Sequence, residues 1–149
     1  MPSGRLPNKE SKWYLPKHTY MMVQHFCLSY YELQKDVIEL SDEIDRIGLI
    51  SGQALDGMPH GTDVTDPTER QAIRRKELID KRNAKLTKIR IIERAVERTA
   101  FTGRKELLWA VTNKNMTYER LRSLHGCPYG KNQFGRLKQQ VYWRIAQEL

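Results

Sequence analysis

An all-α fold is what this 149-residue sequence predicts. Three observations carry the prediction: an unbroken hydrophobic seam in the first third, a second long stretch opened by a helix-start signal, and a closing stretch in helical rhythm to its last residue. The expected architecture is a long antiparallel helical hairpin, coiled-coil-like, carrying a C-terminal helix-turn-helix-like unit. The expected segments are a flexible basic leader at 1–18, a hairpin at 19–101 with its loop at 48–66, and the helix-turn-helix-like unit at 102–149.

Residues 1–18 hold three of the six prolines. Pro16 disfavours a helix before it, although Trp13 and Tyr14 suit an anchor. Beyond it, Val23, Phe26, Tyr30, Leu33, Val37, Leu40, Ile44 and Ile47 are spaced alternately three and four apart. That spacing is the a/d seam of a helix and predicts one over 19–47, with Gly48 as its stop. Cys27, beside a seam residue, reads as a buried spacer. The seam is more apolar than one imperfect partner helix covers, which argues for a homodimer.

The loop holds Gly52, Gly57, Pro59 and Gly61. "TDPTE" then signals a helix start, with Asp66 as N-cap, Pro67 at the first helical position and Glu69 favouring the dipole. The second long helix, about 67–100, has a stripe of Ala72, Ile79, Leu86, Ile89, Val96 and Ala100, with Arg75 and Arg82 intruding. Gly103 marks the next break. A helix over 104–113 turns Leu107, Leu108 and Val111 to one side. Asn115 or Thr117 caps a short helix with Tyr118, Leu121 and Leu124 inward. "HGCPYG" turns the chain into the closing helix.

The charge distribution narrows the function. The net charge is +8 and the pI about 9.6, which favours a polyanionic partner. Residues 1–18 are net +3, 19–66 net −7 and 67–149 net +12, with twenty basic and eight acidic side chains in the last segment. An anion-binding surface therefore belongs to the second half. The acidic first half is explained by pairing across the hairpin. No apolar run is long enough to span a bilayer, the first residues lack the apolar core of a secretion signal, and two cysteines do not make a disulfide framework. A bacterial host cytoplasm fits. His60 with Asp63, and His125 with Cys127, fall short of a four-ligand metal site. No cofactor and no enzyme activity is expected, since neither paired carboxylates nor a Ser/His/Asp arrangement stands out.

In the closing helix, Leu137, Val141, Ile145 and Leu149 fall within about 60° of Phe134 at 100° per residue. The opposite face carries Asn132, Gln133, Arg136, Gln139, Gln140 and Trp143. Asn, Gln and Arg are the side chains that bind base edges bidentately. "GCPYGKN" is not a P-loop: three residues separate its glycines instead of four, Asn132 follows the lysine, and no strand pattern precedes it. It reads as the turn before a recognition helix.

Two stretches, "DGMPHGTDVTDPTERQAIRR" (56–75) and "HGCPYGKNQFGRLKQQVYWRIAQEL" (125–149), resemble short phage and prophage proteins of Gram-positive hosts. The second is similar to the ending of the ArpU/RinA-type phage late-gene regulators and related sigma-region-4-like proteins. They cover about a third of the chain. The chain departs from that group at Gly135, where relatives carry an aromatic, and at "RLKQQ", where they carry an Arg-rich cluster. The resemblance implies a phage regulatory setting.

The expected function is phage-type transcriptional regulation through double-stranded DNA. Asn132, Gln133 and Arg136 would contact bases, with Gln139 and Gln140 on the same face. Arg120, Arg122 and Lys131 would contact phosphates. The basic second helix, with Arg74, Arg94 and Arg98 among its cations, either tracks a phosphate backbone or is a solvated face paired with the acidic helix. Rival readings are a phage-encoded inhibitor of a host nucleoprotein machine such as a CRISPR nuclease, and a small terminase-like packaging subunit. The protein partners these imply are host RNA polymerase or a host defence nuclease.

Overall fold

A computed structural model describes residues 11–54 and 67–149, with the backbone alone for 49–54. Expectations that fall on the leader before residue 11 and on the loop at 55–66, including Asp66, His60 and Asp63, lie outside the described residues. All regular structure among the described residues is helical: α1 (Lys17–Leu28), α2 (Tyr30–Ala54), α3 (Pro67–Thr99), α4 (Arg104–Thr112), α5 (Tyr118–His125) and α6 (Lys131–Glu148). The all-α expectation holds. No helix among these residues is long and apolar enough to cross a membrane.

The single helix expected over 19–47 is two. At Ser29 the hydroxyl donates to the Phe26 carbonyl at 2.6 Å, and the Ser29 N–H donates to the same oxygen at 3.2 Å. A serine that satisfies the backbone locally competes with the regular i−4 bond. Ser29 nevertheless keeps right-handed angles, φ −82 and ψ −1, so the seam runs through the break with its spacing intact. Gly48 does not stop α2, which continues to Ala54. One glycine costs a helix only about 1 kcal/mol.

The chain forms two compact units, one comprising residues up to Tyr31 with Ile89–Leu149, the other Glu32–Lys88. This division differs from the expected segments: α1 groups with the C-terminal helices. In the first unit α1 packs on α4 and α6, and α4 packs on α5 and α6. The core holds Val23 and Cys27 from α1, Ile92 and Val96 from α3, Leu107 and Val111 from α4, Leu121 from α5, and Phe134, Val141 and Ile145 from α6. The described residues just before α1 pack against α6. Leu15 is buried, Trp13 meets Trp143 edge-on at 5.0 Å, and Tyr20 of α1 meets Tyr142 at 5.2 Å. Residues 13–15 of the leader expected at 1–18 are therefore packed.

In the second unit Leu40 and Ile44 of α2 pack with Leu78 of α3. Two ion pairs link the same helices, Asp36–Lys85 at 2.8 Å and Glu43–Arg74 at 3.0 Å. As the α2 number rises the α3 number falls, so the pairing is antiparallel. Ala72 of the expected α3 stripe is exposed; Leu78 takes the buried role. Of the eight seam residues, five are buried and Phe26, Val37 and Ile47 are half-buried, all within one chain. The seam's apolarity therefore no longer calls for a second copy.

Candidate nucleic-acid interface

The α5–α6 connection is built from local chemistry. Thr117 caps α5, its hydroxyl accepting from the Arg120 N–H at 3.3 Å. At the other end Gly126 takes the left-handed conformation, φ 63, which a residue with a Cβ adopts only at a cost. The Leu121 carbonyl accepts from both Gly126 and Cys127 N–H groups. Pro128 and Tyr129 then lead into Gly130, the N-cap of α6.

This turn is tied to the α3–α4 break. Tyr129 donates its hydroxyl to the Thr102 carbonyl. Gly103, at φ 68, leaves room for it: a Cβ there would sit 2.8 Å from Tyr129 Cε2 and 2.9 Å from Pro128 Cγ. Tyr118 donates to the Tyr129 carbonyl at 2.7 Å, and its ring packs on Phe134 at 5.6 Å. The start of α6 is therefore held from both α5 and the α3–α4 break.

The candidate base-reading residues divide into two groups. Asn132, Gln133 and Arg136 are exposed, and their side chains form no hydrogen bond or ion pair with other described residues. They occupy the first turns of a helix with no side-chain cap and no acidic residue at its start, where free N–H groups favour an anion. Gln139 and Gln140 are different. Both are half-buried, and Gln139 donates its amide to the Trp13 carbonyl at 2.9 Å. Trp143 is likewise half-buried against Trp13 rather than free on the polar face. The segment before α1 covers that stretch of α6, and nothing in the spacing of α6 itself announces this.

The candidate phosphate contacts are exposed but positioned by internal partners. Lys131 lies 3.3 Å from Glu119, whose carboxyl is held below its usual range by its own backbone N–H and then by Lys131. Arg122 donates to the Tyr118 hydroxyl at 3.0 Å, a bond that raises its guanidinium's affinity for the proton. Arg120 reaches the Asn115 carbonyl at 3.4 Å.

Inward positions differ at two points. Leu124, expected inside, is 71 % exposed, and Leu149 is exposed at the end of the chain. His125 meets Trp109 at 4.5 Å. Both line a shallow groove of about 130 Å³ with Tyr31, Asn113 and Met116. Cys127 is buried. Among the described residues no three His, Cys, Asp or Glu side chains come together as a metal site.

Further along α6, one cation escaped the sequence reading. Arg144 shares a recess with Arg94 and Arg98 of α3. Its neighbours in sequence, Trp143 and Ile145, gave no sign of a site, because the other two arginines arrive from another helix.

Comparison with known protein families, characterised proteins and solved structures gives no match to this chain.

Proposed function

We propose that the protein binds double-stranded DNA through the start of α6 and regulates transcription in a phage or prophage setting, in the cytoplasm of a bacterial host. One observation carries the reading. Asn132, Gln133 and Arg136 stand exposed on the first turns of a helix whose opposite side, Phe134, Val141 and Ile145, is buried. A short helix and a glycine turn precede it, which supports a helix-turn-helix reading with α6 in the major groove. The uncapped helix start and the cations Lys131, Arg120 and Arg122 supply attraction for flanking phosphates. The half-buried Gln139 and Gln140 leave the base-reading role to the first three residues.

The test is selection from a random duplex pool at two salt concentrations, followed by binding of variants. As a bidentate guanine reader, Arg136 contributes about 1–3 kcal/mol of discrimination at one base pair. Arg136→Ala is expected to weaken specific binding by that amount while melting temperature stays nearly constant. Lys131→Ala is expected to weaken binding to all sequences alike and flatten the salt dependence. If both variants bind every duplex as tightly as the parent, α6 is not a reading head. The inhibitor of a host nucleoprotein machine is then the reading to test, with the same two variants.

A further inference from the structure

We propose that the groove lined by Tyr31, Trp109, Asn113, Met116 and His125 holds one unpaired base of a single-stranded nucleic acid. All five residues belong to the first unit. Local bonds build the wall. Asn113 ends α4 in an extended conformation, φ −121 and ψ 122, and its N–H donates to the Trp109 carbonyl. Its side-chain amide donates to the same carbonyl at 3.1 Å and to the Tyr31 hydroxyl at 3.2 Å. The start of α2 is thereby tied to the end of α4. The Met116 N–H donates to the Asn113 carbonyl at 3.4 Å, which folds the following loop back. His125 arrives at the end of α5 and meets the Trp109 ring at 62°. Three aromatic rings from three helices thus share one groove, Trp109 half-buried and Tyr31 and His125 exposed.

Size and charge select the occupant. A water needs about 10–15 Å³ of such space, and the groove offers about 130 Å³, enough for a ring. Sites that enclose a whole small ligand are larger, about 300–1,000 Å³, so the ring belongs to something that continues outside. The rim is cationic. Lys105 Nζ lies 4.6 Å from the Trp109 ring centre, and Lys114 is exposed beside Asn113. Against them, Glu106 is the one acidic residue of α4. A nucleotide brings a flat ring for the aromatic groups and a phosphate for the lysines. An apolar protein side chain would use the rings alone. Duplex bases are stacked on one another and offer no free face, so the base is an unpaired one. The groove does not rest on the reading of α6.

The test follows the Trp109 indole N–H signal of the full chain in ¹H–¹⁵N spectra, assigned with Trp109→Phe. The probes are a short oligothymidine, an abasic strand of equal length, a short duplex and N-acetylphenylalaninamide. Oligothymidine is expected to move the signal saturably where the abasic strand and the duplex do not. Tyr31→Ala and His125→Ala should each weaken oligothymidine binding about tenfold, while Tyr31→Phe, which keeps the ring, should bind like the parent. The His125 ring is exposed, so His125→Ala tests the groove even if Tyr31→Ala fails to fold. Lys114→Gln should reduce the log–log salt slope by about 0.7. An abasic strand that moves the signal equally reduces the groove to a charged surface and overturns the proposal. A duplex that moves it as far removes the need for an unpaired base and also overturns it. So does a signal that ignores oligothymidine and follows N-acetylphenylalaninamide, which assigns the groove to a protein side chain, or a signal that follows no probe. Arg136→Ala, which tests α6, should leave oligothymidine binding unchanged, so the two readings fail separately; a loss there places the strand on α6 and overturns the groove.

Discussion

The two units hold their helices together by different means. Ile92, Leu107, Leu121, Ile145, Val23, Val111, Val141 and Cys27 are the most completely buried side chains among the described residues, and every one belongs to the first unit. In the second unit Ile44 is 2 % exposed, while Leu33, Leu78 and Leu40 retain 7–8 %. There the helices meet along one seam, flanked by the Asp36–Lys85 and Glu43–Arg74 pairs. Two helices side by side cover one stripe and leave the rest to water, whereas several helices enclose a core from many directions. The second unit therefore shows the plainer sequence signal and the shallower burial.

The largest expected effect separates the two cores. Leu107→Ala deletes a side chain with no exposure, and the expected loss is about 4 kcal/mol, towards the upper end for such deletions. Leu78→Ala removes one at the edge of a two-helix seam, and the expected loss is about 2 kcal/mol. Urea unfolding of the two variants measures both. Equal losses would mean that the difference in burial has no energetic counterpart.

A second effect belongs to the first unit alone. Burial pushes the Cys27 thiol up from 9.0 to about 12, while nearby Lys138 pulls it down. The neutral thiol is thus favoured in the folded state. Its contribution is complete below pH 9.0 and is lost as pH rises towards 12. The unfolded chain gives up that proton first, so the slope is at most about 1.4 kcal/mol per pH unit. Tyr20 and Tyr142, whose hydroxyls burial also pushes up, add to the loss. Burial lowers Lys138, and a depressed lysine works in the opposite direction. Between pH 8 and pH 10.5 the parent should lose about 2 kcal/mol more than Cys27→Ala. Denaturation midpoints that move in parallel would show that the thiol is not shielded.

The smallest effect lies in the second unit. A double-mutant cycle on Asp36→Asn and Lys85→Ala should give a coupling of about 0.2–1 kcal/mol, fading in high salt. A larger coupling, resistant to salt, would show that this pair does more than flank the seam.

The sequence by itself determined that the chain is helical, where most helices start, and which side of α6 is apolar. These are local properties. A seam spaced three and four apart, Pro67 at a helix start, a cap at Asn115 or Thr117 and a turn at "HGCPYG" each act within a few residues, and each is legible without knowing the fold. Locality also explains the misplaced boundaries: the Ser29 break depends on one hydroxyl's choice of partner, and Gly48 is too weak a breaker to stop α2.

Tertiary structure alone decided which polar residues remain available. Gln139 and Arg136 are equivalent in type and face along α6. Only the return of Trp13 from more than a hundred residues away occupies one and leaves the other exposed. Arg144 lines one small recess with Arg94 and Arg98 because α3 and α6 both border it, and Leu124 is exposed although its spacing on α5 suggests an inward position. The reason is the same in each case. Periodicity reports which way a side chain faces from its own helix axis, while burial and partnership depend on what other segments bring to that face.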